Sequence, residues 1–141
     1  MYGLPVRSCE KTATTVLEIF QYYGFTEGEK MQRILLKLSG EALAGEKKQG
    51  FDEDTVRAVA LQVKQLVDDG IQVGIVIGGG NFWRGRTSEH IDRTKADQIG
   101  MLATVMNCIY VSEIFRSVGM MTNILTPFEC GSFTKLFSKD R

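Results

Sequence analysis

The chain has 141 residues, enough for one ordinary domain that buries roughly two-thirds of the surface its unfolded form exposes. Its 17 Lys and Arg balance its 17 Asp and Glu, which excludes the strong positive field that nucleic-acid binding calls for, so any anion must be held by a local arrangement. The three cysteines, Cys9, Cys108 and Cys130, are widely spaced with no C-x-x-C pair, which argues against a disulfide framework or a zinc site and suits reduced, cytoplasmic thiols.

Residues 1–30 hold a short helical possibility in "TATTVLEIFQYYG", ended by Gly24, and then the polar "TEGEK". Arg7, Glu10 and Lys11 precede no continuous hydrophobic region, and no apolar run approaches the roughly 20 residues of a membrane span, so the expectation is a cytoplasmic protein with no membrane association. From Met31 the pattern changes. "RILLKL" (33–38) is a short apolar run that suits a buried strand, and Val56, Val59, Val63, Leu66 and Val67 recur at helical spacing in "DEDTVRAVALQVKQLVDDG". Asp52 or Asp54 can cap that helix and Gly70 can end it. "IQVGIVI" (71–77) reads as a second buried strand, a helix follows from about Lys95 to Val118, and "TNILT" (122–126) reads as a third strand after Gly119. The long helix is expected to gather Ile99, Leu102, Ala103, Met106, Ile109 and Ile114 near one face. Strands alternating with helices predict an α/β fold whose parallel sheet is covered on both faces.

Ligands of such sheets gather at the carboxyl ends of the strands, and small residues cluster at two of these ends. The first strand runs into "KLSGEA", with Lys37 near its end and Gly40 lacking a Cβ; the second runs into "GGGN", with Arg84 shortly after. One glycine would read as a tight strand exit. Three beside an arginine read as a nest, in which unusual backbone conformations turn N–H groups toward phosphate oxygens and Arg84 adds a bidentate contact. The stretch is neither G-x-x-x-x-G-K-[ST] nor G-x-G-x-x-G, so a P-loop or Rossmann assignment does not fit. Two phosphate-friendly exits in one sheet predict a site for more than one phosphate group. His90 reads as a solvated loop residue, the methionines as core or subunit contact, and Phe82 and Trp83 as packing.

"RILLKLSGEAL", "GIQVGIVIGGGNFWRG" and "ADQIGMLATVMN" together closely resemble the bacterial UMP kinases, the uridylate branch of the amino-acid-kinase family. The first two motifs are shared in looser form across the amino-acid kinases, whereas the third is the narrower signal. The resemblance implies a three-layer α/β/α sandwich with a mainly parallel sheet, and transfer of the γ-phosphoryl group of ATP, with Mg2+, to UMP. It also implies a homo-oligomer, a hexamer in the family, with nucleotide regulation. Carried over position by position, it places Lys37, Ser39, Gly40, Gly80 and Arg84 on the phosphates of ATP, with Lys37 catalytic, and Gly79 and Asp97 on UMP, Asp97 at the ribose. Without the resemblance, Asp97 reads equally well as a helix-start carboxylate that complements the macrodipole. Residues 31–141 then correspond to the N-terminal, UMP-binding part of the kinase domain, residues 1–30 to an extension outside the match, and the C-terminal, ATP-binding half is expected to be missing. Another amino-acid kinase, acting on a carboxylate or carbamate, and a non-catalytic nucleotide-binding or subunit-interaction fragment are the alternative readings.

Overall fold

The computed structural model describes residues 33–84 and 90–137. Strand β1 (Arg33–Leu38) leads through a short helix α1 (Gly40–Ala44) and a 3-10 turn (Gly45–Lys47) into helix α2 (Glu53–Asp68). Strand β2 (Gln72–Ile77), helix α3 (Arg93–Ser117), strand β3 (Leu125–Thr126), a second 3-10 turn (Gly131–Phe133) and strand β4 (Lys135–Leu136) follow. The helical possibility within residues 1–30 lies outside the described residues.

β1 and β2 pair in parallel, Arg33 opposite Gln72 through Leu38 opposite Ile77. Their side chains alternate between two faces, as the two-residue repeat of a strand requires. Leu36, Leu38 and Ile77 point inward and join Val56, Val59 and Val63 of α2 and Val111 and Phe115 of α3 in one core. Each such side chain removed from water contributes roughly 1.5–3 kcal/mol. The valine spacing of α2 is therefore what attaches it to the sheet. Outward, Leu35 is 66% and Val76 50% exposed. The described residues thus supply two layers of the α/β/α sandwich, one of helices and one of sheet.

Both long helices begin and end by the same devices. Asp52 accepts from the Thr55 N–H at 3.0 Å and Asp92 from the Thr94 N–H at 3.0 Å, each satisfying a backbone donor that has no partner within its helix. At the other end Gly70 takes φ 82° and Gly119 φ 90°, a left-handed conformation that costs glycine nothing. Gly70 N–H then bonds Val67 O and Ile71 N–H bonds Leu66 O, and likewise Gly119 bonds Arg116 O and Met120 bonds Phe115 O, a Schellman motif at each end. Of the two acidic candidates at the start of α2, Asp52 is the cap.

Two expectations fail here. The buried residues of α3 are Ala96, Ala103, Val105, Asn107, Val111, Ser112 and Phe115, while Ile99, Leu102, Met106 and Ile109 are exposed. Of the face expected from the sequence only Ala103 is fully buried, because α3 lies against backbone and admits small residues there. The third strand is also shorter than expected. Ser112 and Arg116 of α3 hold Thr122 by hydrogen bonds, so the chain leaves the helix tethered to it, and only Leu125–Thr126 form a strand. That strand pairs in parallel with β4, apart from β1 and β2.

By length and composition alone α3 is apolar enough to cross a membrane, contrary to the expectation that no segment approaches a span. Its buried Asn107 and Ser112 are hydrogen-bonded to the rest of the fold, which is the behaviour of a packed helix.

Candidate functional site

The exits of β1 and β2 meet. Gly78 N–H donates to Leu38 O at 3.0 Å, carrying the ladder one step past the strands. A methyl group at Gly40 would sit 2.6 Å from Gly80 N, 2.6 Å from Asn81 Oδ1 and 2.7 Å from Gly78 O, so only glycine lets the two loops touch. The close approach at Gly40 is to protein backbone.

The three consecutive glycines face different surroundings, and at Gly78 an added methyl group would find ordinary room, 3.6 Å from Gly40 N. None of Gly78, Gly79 and Gly80 has a positive φ, which corrects the expectation of a nest built on conformations closed to other residues. A methyl group at Gly79 would lie 3.0 Å from Gly100 O, 3.1 Å from Ala103 Cβ and 3.3 Å from Thr104 N, so Gly79 seats the loop on α3. At Gly80 the same group would meet only the end of the Glu41 side chain, Oε1 at 2.8 Å. One glycine faces a wall and its neighbour faces a movable carboxylate.

A buried amide pair, not anticipated from the sequence, fixes the loop. Asn107, fully buried on α3, donates through Nδ2 to Gly78 O at 2.7 Å and to Asn81 Oδ1 at 2.6 Å. Asn81 returns a bond from its own Nδ2 to Asn107 Oδ1 at 3.1 Å and another to Gly50 O at 2.9 Å. Polar groups this deep remain in place only when bonded, and here both amides are. The place of Asn107 four positions after Ala103, on the same face of α3, was the available signal.

Aromatic packing closes the outer side. Phe82 meets Phe51 edge-on at 5.1 Å, and Phe51 stacks on Tyr110 at 3.7 Å, so Phe82 serves packing as expected. Burial raises the Tyr110 hydroxyl above its ordinary pKa, with Glu53 and Asp52 adding to the shift. Trp83 is half-buried, and its Nε1 has no hydrogen-bond partner among the described residues.

The remaining sequence-predicted residues fall as follows. Lys37, the penultimate residue of β1, is exposed on the sheet face away from the helices, opposite Val76 in register. Ser39 Oγ accepts from Ala42 N–H at 3.1 Å and so caps α1. Arg84 pairs with the carboxylate of Glu41, the residue after Gly40. Asp97 is exposed in the second turn of α3, three residues before the Gly100 carbonyl that Gly79 approaches, just under one helical turn or about 4.5 Å of rise. It lies past the first turn, where the macrodipole acts, and the capping carboxylate is Asp92. His90 is exposed. Gly40, Gly79, Gly80 and Arg84 are thus gathered at one place, with Asp97 a helical turn away and Lys37 on the adjoining strand.

An open apolar groove of about 740 Å³ lies along the outward flank of α3, lined by Leu102, Met106, Ile109, Phe128 and Phe133 among others. Among the described residues the charged side chains that line it are Glu113 and Glu129.

Solved structures share this fold. The chain superposes on UMP kinase from Bacillus anthracis with a TM-score of 0.70 at 33% identity, covering 78% of this chain and 46% of that one. UMP kinase from Ureaplasma parvum gives a TM-score of 0.71 at 29% identity, with 79% and 50% covered. The chain therefore spans about half the length of these relatives. Residues 32–140, which include every strand and helix described above, match the amino acid kinase family, and the chain belongs to that family.

Proposed function

We infer that the chain is part of a phosphotransferase that moves the γ-phosphoryl group of ATP onto UMP, giving UDP and ADP. The observation that carries the reading is the junction of the two strand exits. Gly40 lies against Gly78 and Gly80, with Arg84 beside them, in a chain whose solved relatives include UMP kinases. Phosphoryl transfer asks the protein mainly to position two nucleotides and to neutralise charge on the moving group, so a backbone junction flanked by cations suits it without a protein nucleophile. In this reading Lys37 steadies the transferring group, and Ser39, Gly40, Gly80 and Arg84 hold the phosphates of ATP. Gly79 fixes the loop against which UMP lies, and Asp97 accepts from its ribose hydroxyls. In this reading magnesium enters on the nucleotide. The reading carries with it a cytoplasmic homo-oligomer, a hexamer as in the uridylate branch.

The test is a coupled assay with ATP and UMP, run beside small amino acids and carbamate, together with calorimetric binding of each nucleotide. Turnover of UMP that is abolished in Lys37→Met while UMP binding persists supports the reading. Turnover of an amino acid or carbamate in its place would assign a different acceptor, and binding without turnover would leave a nucleotide-binding fragment. UMP and deoxy-UMP binding equally would remove Asp97 from the ribose.

A further inference from the structure

Glu41 has a place that the phosphate reading does not use. It stands in the first turn of α1, and its Oε1 lies over Gly80, where even a methyl group would come within 2.8 Å of it. The same oxygen pairs with Arg84. A carboxylate thus sits at the bare backbone of the glycine loop, joined to the arginine assigned to phosphate. The backbone beneath it is fixed, because Ser39 caps α1, Leu43 and Ala44 are buried, and Asp52 N–H bonds Leu43 O at 2.8 Å. The Glu41 carboxylate, at the end of a flexible side chain, can swing aside. Glu41 is 49% and Arg84 62% exposed, so the pair opens without disturbing the core.

We propose that Glu41 is an internal competitor for the polyphosphate site, its carboxylate holding Arg84 over the glycine loop until the phosphates of a nucleotide displace it. This deepens the function proposed above and rests on it. An exposed ion pair is weak, so the competition is mild and reversible. A polyphosphate offers Arg84 paired oxygens of higher charge and displaces the carboxylate, whereas a lone carboxylate ligand offers nothing that Glu41 does not already supply. The residue therefore tilts the site toward polyphosphates and against small carboxylates. It also keeps the arginine positioned near the loop.

The measurement is calorimetric titration of tripolyphosphate, without magnesium, into the wild-type chain, Glu41→Gln and Asp69→Asn. Glutamine keeps the shape of Glu41 and removes its charge. Asp69 follows α2 at the start of β2, the opposite end of the sheet, so its replacement accounts for the change in net charge alone. Thermal melts confirm that each variant is folded. Glu41→Gln is expected to bind about 1.5-fold to fivefold tighter than wild type, the range in which exposed ion pairs act, with Asp69→Asn nearly unchanged. Should Glu41→Gln bind no tighter than Asp69→Asn, or bind more weakly than wild type, the competitor is overturned while the phosphate site stands. Failure of all three folded proteins to bind tripolyphosphate would overturn the site and the competitor together.

Discussion

Helices α2 and α3 lie over the same face of the β1–β2 pair and end in the same backbone motif, yet they are attached by different chemistry. α2 presents a stripe of buried valine and alanine to Leu36 and Leu38. That contact is shape and apolar area, which tolerates small adjustments among similar residues. α3 adds Val111 and Phe115 to the same core near its C-terminal end. Around its middle it meets the glycine loop, where the contacts are the Gly100 carbonyl, the Ala103 methyl and the Asn107 amide. Contacts of that kind depend on direction, because a buried amide must find its partners. α2 therefore holds the sheet together, and α3 holds the loop in register with it. A site that positions phosphates needs the second kind of contact, since lost hydrogen bonds move the loop even when the core survives.

The comparison is broken most severely from the α2 side. Leu36→Ala removes a side chain only 1% exposed from the centre of the shared core and is expected to cost about 3 kcal/mol or more, read from urea unfolding. Loop geometry should survive in whatever fraction stays folded. Asn107→Ala comes next, at about 2 kcal/mol, because Gly78 O and the Asn81 amide lose a buried partner. Here stability and the loop should fail together, and Asn81→Ala in the same background should add much less than it does alone, since both amides belong to one network. Full additivity of the two would mean that the pair is not a unit.

A smaller and sharper contrast lies within the loop. Gly79→Ala puts a methyl group against backbone atoms of α3 that cannot move aside and should cost about 1–3 kcal/mol of overpacking. Gly80→Ala meets only the Glu41 carboxylate, which can swing away, and should stay within about 0.5 kcal/mol of wild type. Equal losses at the two positions would mean that the loop is not seated on α3 through Gly79.

These contrasts also show which parts of the chain were legible beforehand. The spacing of Val56, Val59 and Val63, the cap at Asp52 and the stop at Gly70 all describe local structure and apolar burial, and each could be read along the chain. The positions of Lys37, Gly40 and the glycine loop at strand exits were legible for the same reason. What was not legible depended on what lies across from each residue. Leu102 and Met106 look like core until α3 is found to press against backbone, which accepts Ala103 and Gly100 instead. The glycines read as conformational devices because sequence does not show what faces a Cβ. Glu41 stood inside a quoted motif, and its partner Arg84 lies 43 residues away, beyond any local pattern.

The smallest expected effect concerns Cys108, which lies one residue after Asn107 and packs beside the shared core. Burial raises its thiol above the ordinary cysteine pKa. The thiolate is the reactive form, so at pH 8 native Cys108 should be alkylated by iodoacetamide several-fold more slowly than in urea, as followed by peptide mass spectrometry. The same shift has a consequence for stability. A group whose folded pKa is raised binds its proton more tightly in the native state, so its contribution is complete below the unfolded value and is lost as pH rises through the folded one. Stability should therefore decline slightly above about pH 8.5–9, where the unfolded thiol ionises first. Cys108→Ala should flatten that part of the profile, because alanine has no proton to lose. Alkylation at the same rate in the native and unfolded chains would show that this flank of α3 opens freely, and the division of labour between the two helices would then have to be redrawn with α3 as a loosely attached arm.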